Sequence, residues 1–219
     1  IEVAEACLSH KFEKEPFIIG TSGRYEFHNK GLDIFFDTLK ALEVSGKLDR
    51  EVLAYVTVPA ANLGARHDLQ AHLQDKSQAI DPSQYRYSTH VLEYQAWDQM
   101  ANAINGSVLD NAESKVKVII VPTYLNQNDG IFNKNYYELL VGMDLTIYPS
   151  YYEPWGYTPL ESMAFHVPTI TTSLSGYGVW CEEQGCTTID KGVAVIYRND
   201  SNTNDVINHI VHTIEYYLS

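Results

Sequence analysis

Short apolar runs, cut off by proline or glycine and separated by helical patterns, constrain this chain more than any other feature. Residues 17–22 (Phe-Ile-Ile-Gly-Thr-Ser) run into Gly23, and 52–58 stops at Pro59, 116–121 at Pro122 and 145–148 at Pro149. Two further runs cover 167–171 and 193–196. Runs this short and this uniformly apolar are strands buried on both faces. Between them the period changes. Leu32, Phe35, Phe36, Leu39 and Leu42 recur at helical spacing with Gly46 as a C-terminal stop, and Ile207, Ile210, Val211, Ile214 and Leu218 repeat the pattern near the end of the chain. Residues 136–143 and 159–165 read as shorter helices. This alternation predicts an α/β, Rossmann-like parallel sheet of about six strands with helices on both faces.

The 219 residues, 45% of them hydrophobic, are enough for one domain with a substantial core. The polar stretch 60–114 is expected to be a helical excursion from that same domain. Ligands of such sheets sit beyond the carboxyl ends of the strands, so the informative loops are those starting at Ser22 and Ser150.

Charge and cysteine usage remove several function classes. Fifteen Lys and Arg stand against 28 Asp and Glu, a net charge of −13. Such a surface repels a polyanion, which argues against nucleic acid as partner. No apolar window approaches the ~18 residues of a membrane span, and the acidic start, with Glu2 and Glu5, lacks the basic leader of a signal peptide. It reads as the start of a piece cut from something longer. Cys7, Cys181 and Cys186 form no CxxC pair, so a reduced, cytoplasmic protein without structural zinc is expected.

In a chain this acidic, any phosphate site must be local. The first loop, Ser22-Gly23-Arg24-Tyr25-Glu26-Phe27-His28-Asn29-Lys30-Gly31, places Arg24 and Lys30 between a strand end and a helix start. Backbone N–H groups and the helix dipole already favour an anion there. The alternative is a solvated loop whose Lys30 pairs with Asp33 or Glu26. The second loop, from Tyr148 to Glu161, is aromatic and bounded by Pro149 and Pro159, with Gly156 permitting close backbone approach to a ligand. Thr158-Pro159-Leu160-Glu161 has the form of a capping box, which would give Glu161 a structural task. Glu153 has no such local role.

Ser22-Gly23-Arg24-Tyr25-Glu26-Phe27, Asn29-Lys30-Gly31 and the run Pro149 to Glu161 resemble the signatures of UDP-glucose-dependent glycogen synthases of animals and fungi, as do residues 167–172 and 175–178. A glutamate pair with seven residues between, here Glu153 and Glu161, is general to retaining enzymes of the two-Rossmann (GT-B) fold. The form Tyr-Glu-Pro-Trp-Gly-Tyr-Thr-Pro is narrower. The resemblance implies the C-terminal, donor-binding half of a GT-B glycosyltransferase, moving glucose from UDP-glucose to the 4-hydroxyl of an α-1,4-glucan with retention. It implies that Arg24 and Lys30 hold the diphosphate and that Glu153 steadies the positive charge on the transferred glucose. Trp155, Gly156, Tyr157 and Thr158 would line the donor, with backbone donors to the phosphates, and Glu161 would bind the ribose. Tyr124 and Tyr136 would stack on or flank the uracil, the alternative for both being ordinary packing.

The chain departs from the family in three respects. The N-terminal Rossmann domain with its acceptor-side residues is absent, so these residues alone are expected to be inactive. The stretch 60–114 is shorter than the helical insertion that carries the tetramer contacts of the eukaryotic enzymes, which bears on the expectation of a homo-oligomeric full-length protein. The last helix carries no arginine. There is also no Asp-x-Asp, so the cations, with no metal and no cofactor, are expected to serve the diphosphate. The rival readings are a retaining GT-B transferase using ADP-glucose or another nucleotide sugar, and a non-catalytic sugar-nucleotide or glucan-binding module.

Overall fold

The computed structural model describes residues 1–81 and 86–218. In chain order the described elements begin with α1 (Glu2–Leu8), β1 (Phe17–Ser22), α2 (Leu32–Ser45), β2 (Val52–Thr57), β3 (Asn62–Ala65), α3 (His67–Gln74) and β4 (His90–Leu92). They continue with α4 (Gln99–Ile104), β5 (Val116–Ile120), α5 (Tyr136–Leu140), β6 (Leu145–Ile147), α6 (Tyr157–Ala164), β7 (Thr169–Thr172), α7 (Gly176–Glu183), β8 (Val193–Ile196) and α8 (Thr203–Leu218).

The apolar runs assemble as expected into one six-stranded sheet, in the order β5-β2-β1-β6-β7-β8, and all its pairings are parallel. Alternate residues of each central strand feed opposite layers. Val52, Ala54 and Val56 face the layer that holds Phe35, Leu39, Met100, Ile210 and Ile214, from α2, α4 and α8. Leu53 and Tyr55 face Ala4, Leu8, Leu69 and Leu140, from α1, α3 and α5. Both faces are therefore dry, which is why the strands show no polar alternation. Fully burying each large aliphatic side chain contributes about 1.5–3 kcal/mol.

From β1 the chain works outward through β2 to β5, then returns to place β6 on the other side of β1 before continuing to β7 and β8. The direction of winding thus reverses between β1 and β6, and a crevice opens beyond their carboxyl ends. The loops that start at Ser22 and after β6 leave from these two neighbouring strands.

Residues 60–114 differ from the expected helical excursion. They contain α3 and α4, but also β3 and β4, which pair antiparallel as a separate two-stranded sheet. The segment before β4 also lies along β5: Ile120 N donates to Tyr87 O at 2.7 Å and Thr89 N to Ile120 O at 3.1 Å. This covers the edge of the main sheet. Pairing over such separations leaves no local period to detect. Among the described residues no helix is long and apolar enough to cross a membrane.

Candidate functional site

Two loops clasp each other above the crevice. Gly31, at φ 67°, comes so close to the second loop that a Cβ on it would lie 1.9 Å from the Pro149 carbonyl oxygen. Only glycine has both the backbone freedom and the room for this approach. The backbone N–H groups of Tyr151 and Tyr152 donate to Asn29 O at 2.9 and 3.3 Å. Arg198, only 6% exposed, donates to Pro149 O from beyond β8 and stands 5.1 Å from the Tyr151 ring centroid. Behind the second loop, Gly176 N donates to Glu153 O at 3.1 Å and Tyr177 N donates to Trp155 O.

This clasp brings Lys30 and Glu153 together: the ammonium donates to a Glu153 carboxylate oxygen, with the two side chains 13% and 19% exposed. Neither Asp33 nor Glu26, the partners open to Lys30 from local sequence, takes that position. Glu26 instead lies 3.1 Å from Arg24, whose side chain is 77% exposed, and Asp33 accepts from His28 at 2.8 Å if that ring nitrogen is protonated.

Beside the clasp is a cleft of about 360 Å³, bordered by Ser22, Arg24, Tyr124, Tyr136, Thr158 and Glu161. Hydroxyl groups join its floor to the sheet. Tyr136 Oη is 2.8 Å from Ser22 Oγ and 3.1 Å from Tyr148 Oη, which is 3.1 Å from Ser162 Oγ. Burial raises the Tyr136 phenol well above its ordinary value, so it stays neutral and available as a donor. Tyr124, 74% exposed, stands at the rim. Tyr25 forms part of the wall: its hydroxyl donates to Asp98 at 2.8 Å and accepts from Gln99 N and Met100 N, tying the first loop to the start of α4.

The start of α6 corrects the expected capping box. The N-cap is Gly156, at φ 101°, with no side-chain cap, and the helix begins at Tyr157. Thr158 and Glu161 therefore lie inside the helix. A tight turn needing positive φ outranks the Thr-x-x-Glu pattern because only glycine adopts that geometry cheaply. Freed from capping, Glu161 turns to the cleft, where the Tyr137 hydroxyl donates to its Oε1 at 3.0 Å. A capping box does form one helix earlier: Asn135 accepts from Glu138 N, and Glu138 accepts from Asn135 N.

The expected site residues thus fall into neighbouring groups. Arg24, Tyr124, Tyr136, Thr158 and Glu161 line the cleft, and Lys30 and Glu153 form the adjoining ion pair. A Cβ on Gly156 would lie 3.4 Å from Glu153 Cγ and 3.3 Å from Pro159 Cγ, so the pair sits against the start of α6. Tyr157 is 70% exposed, and Trp155, 37% exposed, meets Tyr177 edge-on at 6.4 Å. Tyr137, Tyr148, Ser162 and Arg198 escaped the sequence reading. A signal existed for Arg198, a lone cation just past the end of the last strand.

The architecture is Rossmann-like, of the kind that makes up half of a GT-B glycosyltransferase. The crystal structure of the GtfA/B complex shares its fold, with a TM-score of 0.50 and 14% identity, over 95% of this chain and 31% of that one. Residues 76–218 match the family model for glycogen synthase, and the chain belongs to the glycogen synthase family. It is similar to the liver glycogen [starch] synthase of Homo sapiens, with 26% identity over 93% of this chain and 36% of the relative. The same holds for glycogen [starch] synthase isoform 2 of Saccharomyces cerevisiae, with 27% identity over 90% of this chain and 37% of the relative. The chain therefore spans little more than a third of the length of these relatives.

Proposed function

We propose that this chain forms the donor side of a cytoplasmic, retaining glucosyltransferase that moves glucose from UDP-glucose to the 4-hydroxyl of an α-1,4-glucan. An acceptor-side domain would supply the other wall of the active site. The observation that carries the reading is the pairing of Lys30 with Glu153 beside a cleft bordered by Arg24, two tyrosines and Glu161. It combines anion-binding cations with a carboxylate suited to a sugar cation.

In this reaction the glucosyl C1–O bond to the β-phosphate breaks, and its electron pair leaves with UDP. The acceptor 4-hydroxyl oxygen bonds C1, and its proton passes to the departing diphosphate. Negative charge grows on the diphosphate while positive charge grows at C1, and groups aimed at both in advance lower the barrier. Arg24 and Lys30 serve the first. An ammonium has three hydrogens, so Lys30 can hold Glu153 with one and offer the others to phosphate oxygens. The amino-terminal end of α6, at Gly156, Tyr157 and Thr158, adds N–H groups and the positive end of a helix dipole. Glu153 serves the sugar. Tyr124 and Tyr136 flank the uracil, and Glu161 takes the ribose.

Calorimetric titration tests the donor assignment: UDP is expected to bind more tightly than ADP. Equal or reversed affinities would overturn the uridine assignment and favour an ADP-glucose enzyme. Glucose transfer from UDP-glucose to glucan, measured with the acceptor-side domain joined, separates the enzyme from a non-catalytic binding module.

A further inference from the structure

Glu161 stands at the cleft on the fifth residue of α6, a position that leaves its carboxylate free to swing unless something holds it. Tyr137 holds it. The phenol donates to Glu161 Oε1 at 3.0 Å, and two restraints keep the phenol itself in place. Its ring stacks on Phe165, at the far end of α6, with centroids 4.9 Å apart and planes 13° from parallel, and it meets the edge of Tyr136 at 5.5 Å. The backbone beneath it is fixed by the Asn135–Glu138 capping box, which makes Tyr137 the second residue of a closed helix start. The hydrogen bond to Glu161 raises the Tyr137 phenol above its ordinary value, so the group remains a donor throughout the neutral range.

We infer that Tyr137 is a positioning residue for nucleotide recognition: it orients the Glu161 carboxylate to accept hydrogen bonds from the two vicinal hydroxyls of the donor ribose. The inference rests on the donor reading of the cleft. An ionised carboxylate has about four acceptor sites on its two oxygens. Tyr137 uses one on Oε1, leaving Oε2 and the second site of Oε1 for a pair of adjacent hydroxyls. A glutamate immobilised before the ligand arrives loses less rotamer freedom on binding, and the gain falls only on ligands that use the carboxylate. Neighbouring Glu138 cannot substitute, because its carboxylate is engaged with Asn135 N at 2.9 Å.

The test compares UDP with 2′-deoxy-UDP as calorimetric ligands of the wild-type protein and of Tyr137→Phe. Phenylalanine keeps the stacking on Phe165, and Tyr137 is 41% exposed, so the thermal unfolding midpoint should stay within about 2 °C. Wild type should prefer UDP. In Tyr137→Phe, UDP should bind about three- to tenfold more weakly while 2′-deoxy-UDP, which keeps one of the two hydroxyls, weakens less, so the preference for the ribonucleotide narrows. In a Glu161→Ala background, Tyr137→Phe should have no further effect. An unchanged ribose preference in Tyr137→Phe, or equal weakening of both nucleotides, would overturn the inference while leaving the donor reading intact. A wild-type protein that binds neither nucleotide would overturn the donor reading and this inference with it.

Discussion

Lys30, on the loop after β1, donates a hydrogen bond to Glu153, on the loop after β6, across 123 positions of sequence. The pair is mostly shielded from solvent, so removing one member strands the other charge. A substitution at Glu153 is best chosen to keep an acceptor for Lys30. Glu153→Gln does so, because the amide oxygen can still accept, while the charge opposite the developing sugar cation is lost. With the acceptor-side domain present, we expect kcat to fall by about 10²–10³ and UDP affinity to change by less than about threefold. Steady-state kinetics alongside UDP titration checks both, and near-normal kcat would remove Glu153 from the chemistry.

Arg24 contrasts with Lys30. Its side chain is 77% exposed and only 3.1 Å from Glu26, so it can leave that surface pair for a phosphate at little expense. Arg24→Ala should leave the unfolding free energy within about 0.5 kcal/mol but weaken UDP roughly ten- to a hundredfold, the value of one charge-assisted hydrogen bond. Uridine, lacking the diphosphate, should bind as before. Equal losses for both ligands would mean that Arg24 shapes the loop and does not bind phosphate.

Two glycines with nearly the same φ separate backbone strain from steric contact. Gly46 caps α2 at φ 65° with nothing within 4 Å of an added Cβ, whereas Gly31, at φ 67°, faces the Pro149 carbonyl at 1.9 Å. Gly46→Ala should cost about 1–2 kcal/mol, the left-handed penalty alone. Gly31→Ala should cost about 3–5 kcal/mol and weaken UDP binding as well, because the two loops are forced apart. Urea denaturation of both variants decides the matter; equal destabilisation would show that the loops open freely.

Acidification should loosen the packing around β4. His90 is buried, with Nε2 2.8 Å from Asp129 O and Nδ1 2.9 Å from Thr89 Oγ1, and burial holds its pKa below the usual 6.5. The unfolded chain therefore takes up this proton first as pH falls. The contribution to stability is complete above pH 6.5 and is lost as pH drops from there towards the lower folded value, at no more than about 1.4 kcal/mol per pH unit. His90→Gln should flatten this part of the stability–pH curve. A variant with the same slope as wild type between pH 6.5 and 5 would assign the acid sensitivity to other groups.

Local pattern determined much of this protein. The six apolar runs, the helical period of α2 and the glycine and proline stops follow from burial and backbone geometry acting within a few residues, which is why the strand count and the parallel sheet were legible. The narrow motif from Pro149 to Glu161 likewise marked the family, because the residue types themselves were distinctive. Tertiary structure decided which charges meet. From sequence, Lys30 had Glu26 and Asp33 as near neighbours, yet the clasp at Gly31 and Pro149 delivers it to Glu153. Thr158 had the form of a cap until the turn at Gly156 took the helix start from it, which left Glu161 for Tyr137 and the cleft. β3 and β4 pair across a long insertion without any periodic signal. In each case the deciding contact joins segments brought together by the sheet order, and its strength depends on distance in space and on exclusion of water, neither of which a local stretch of sequence contains.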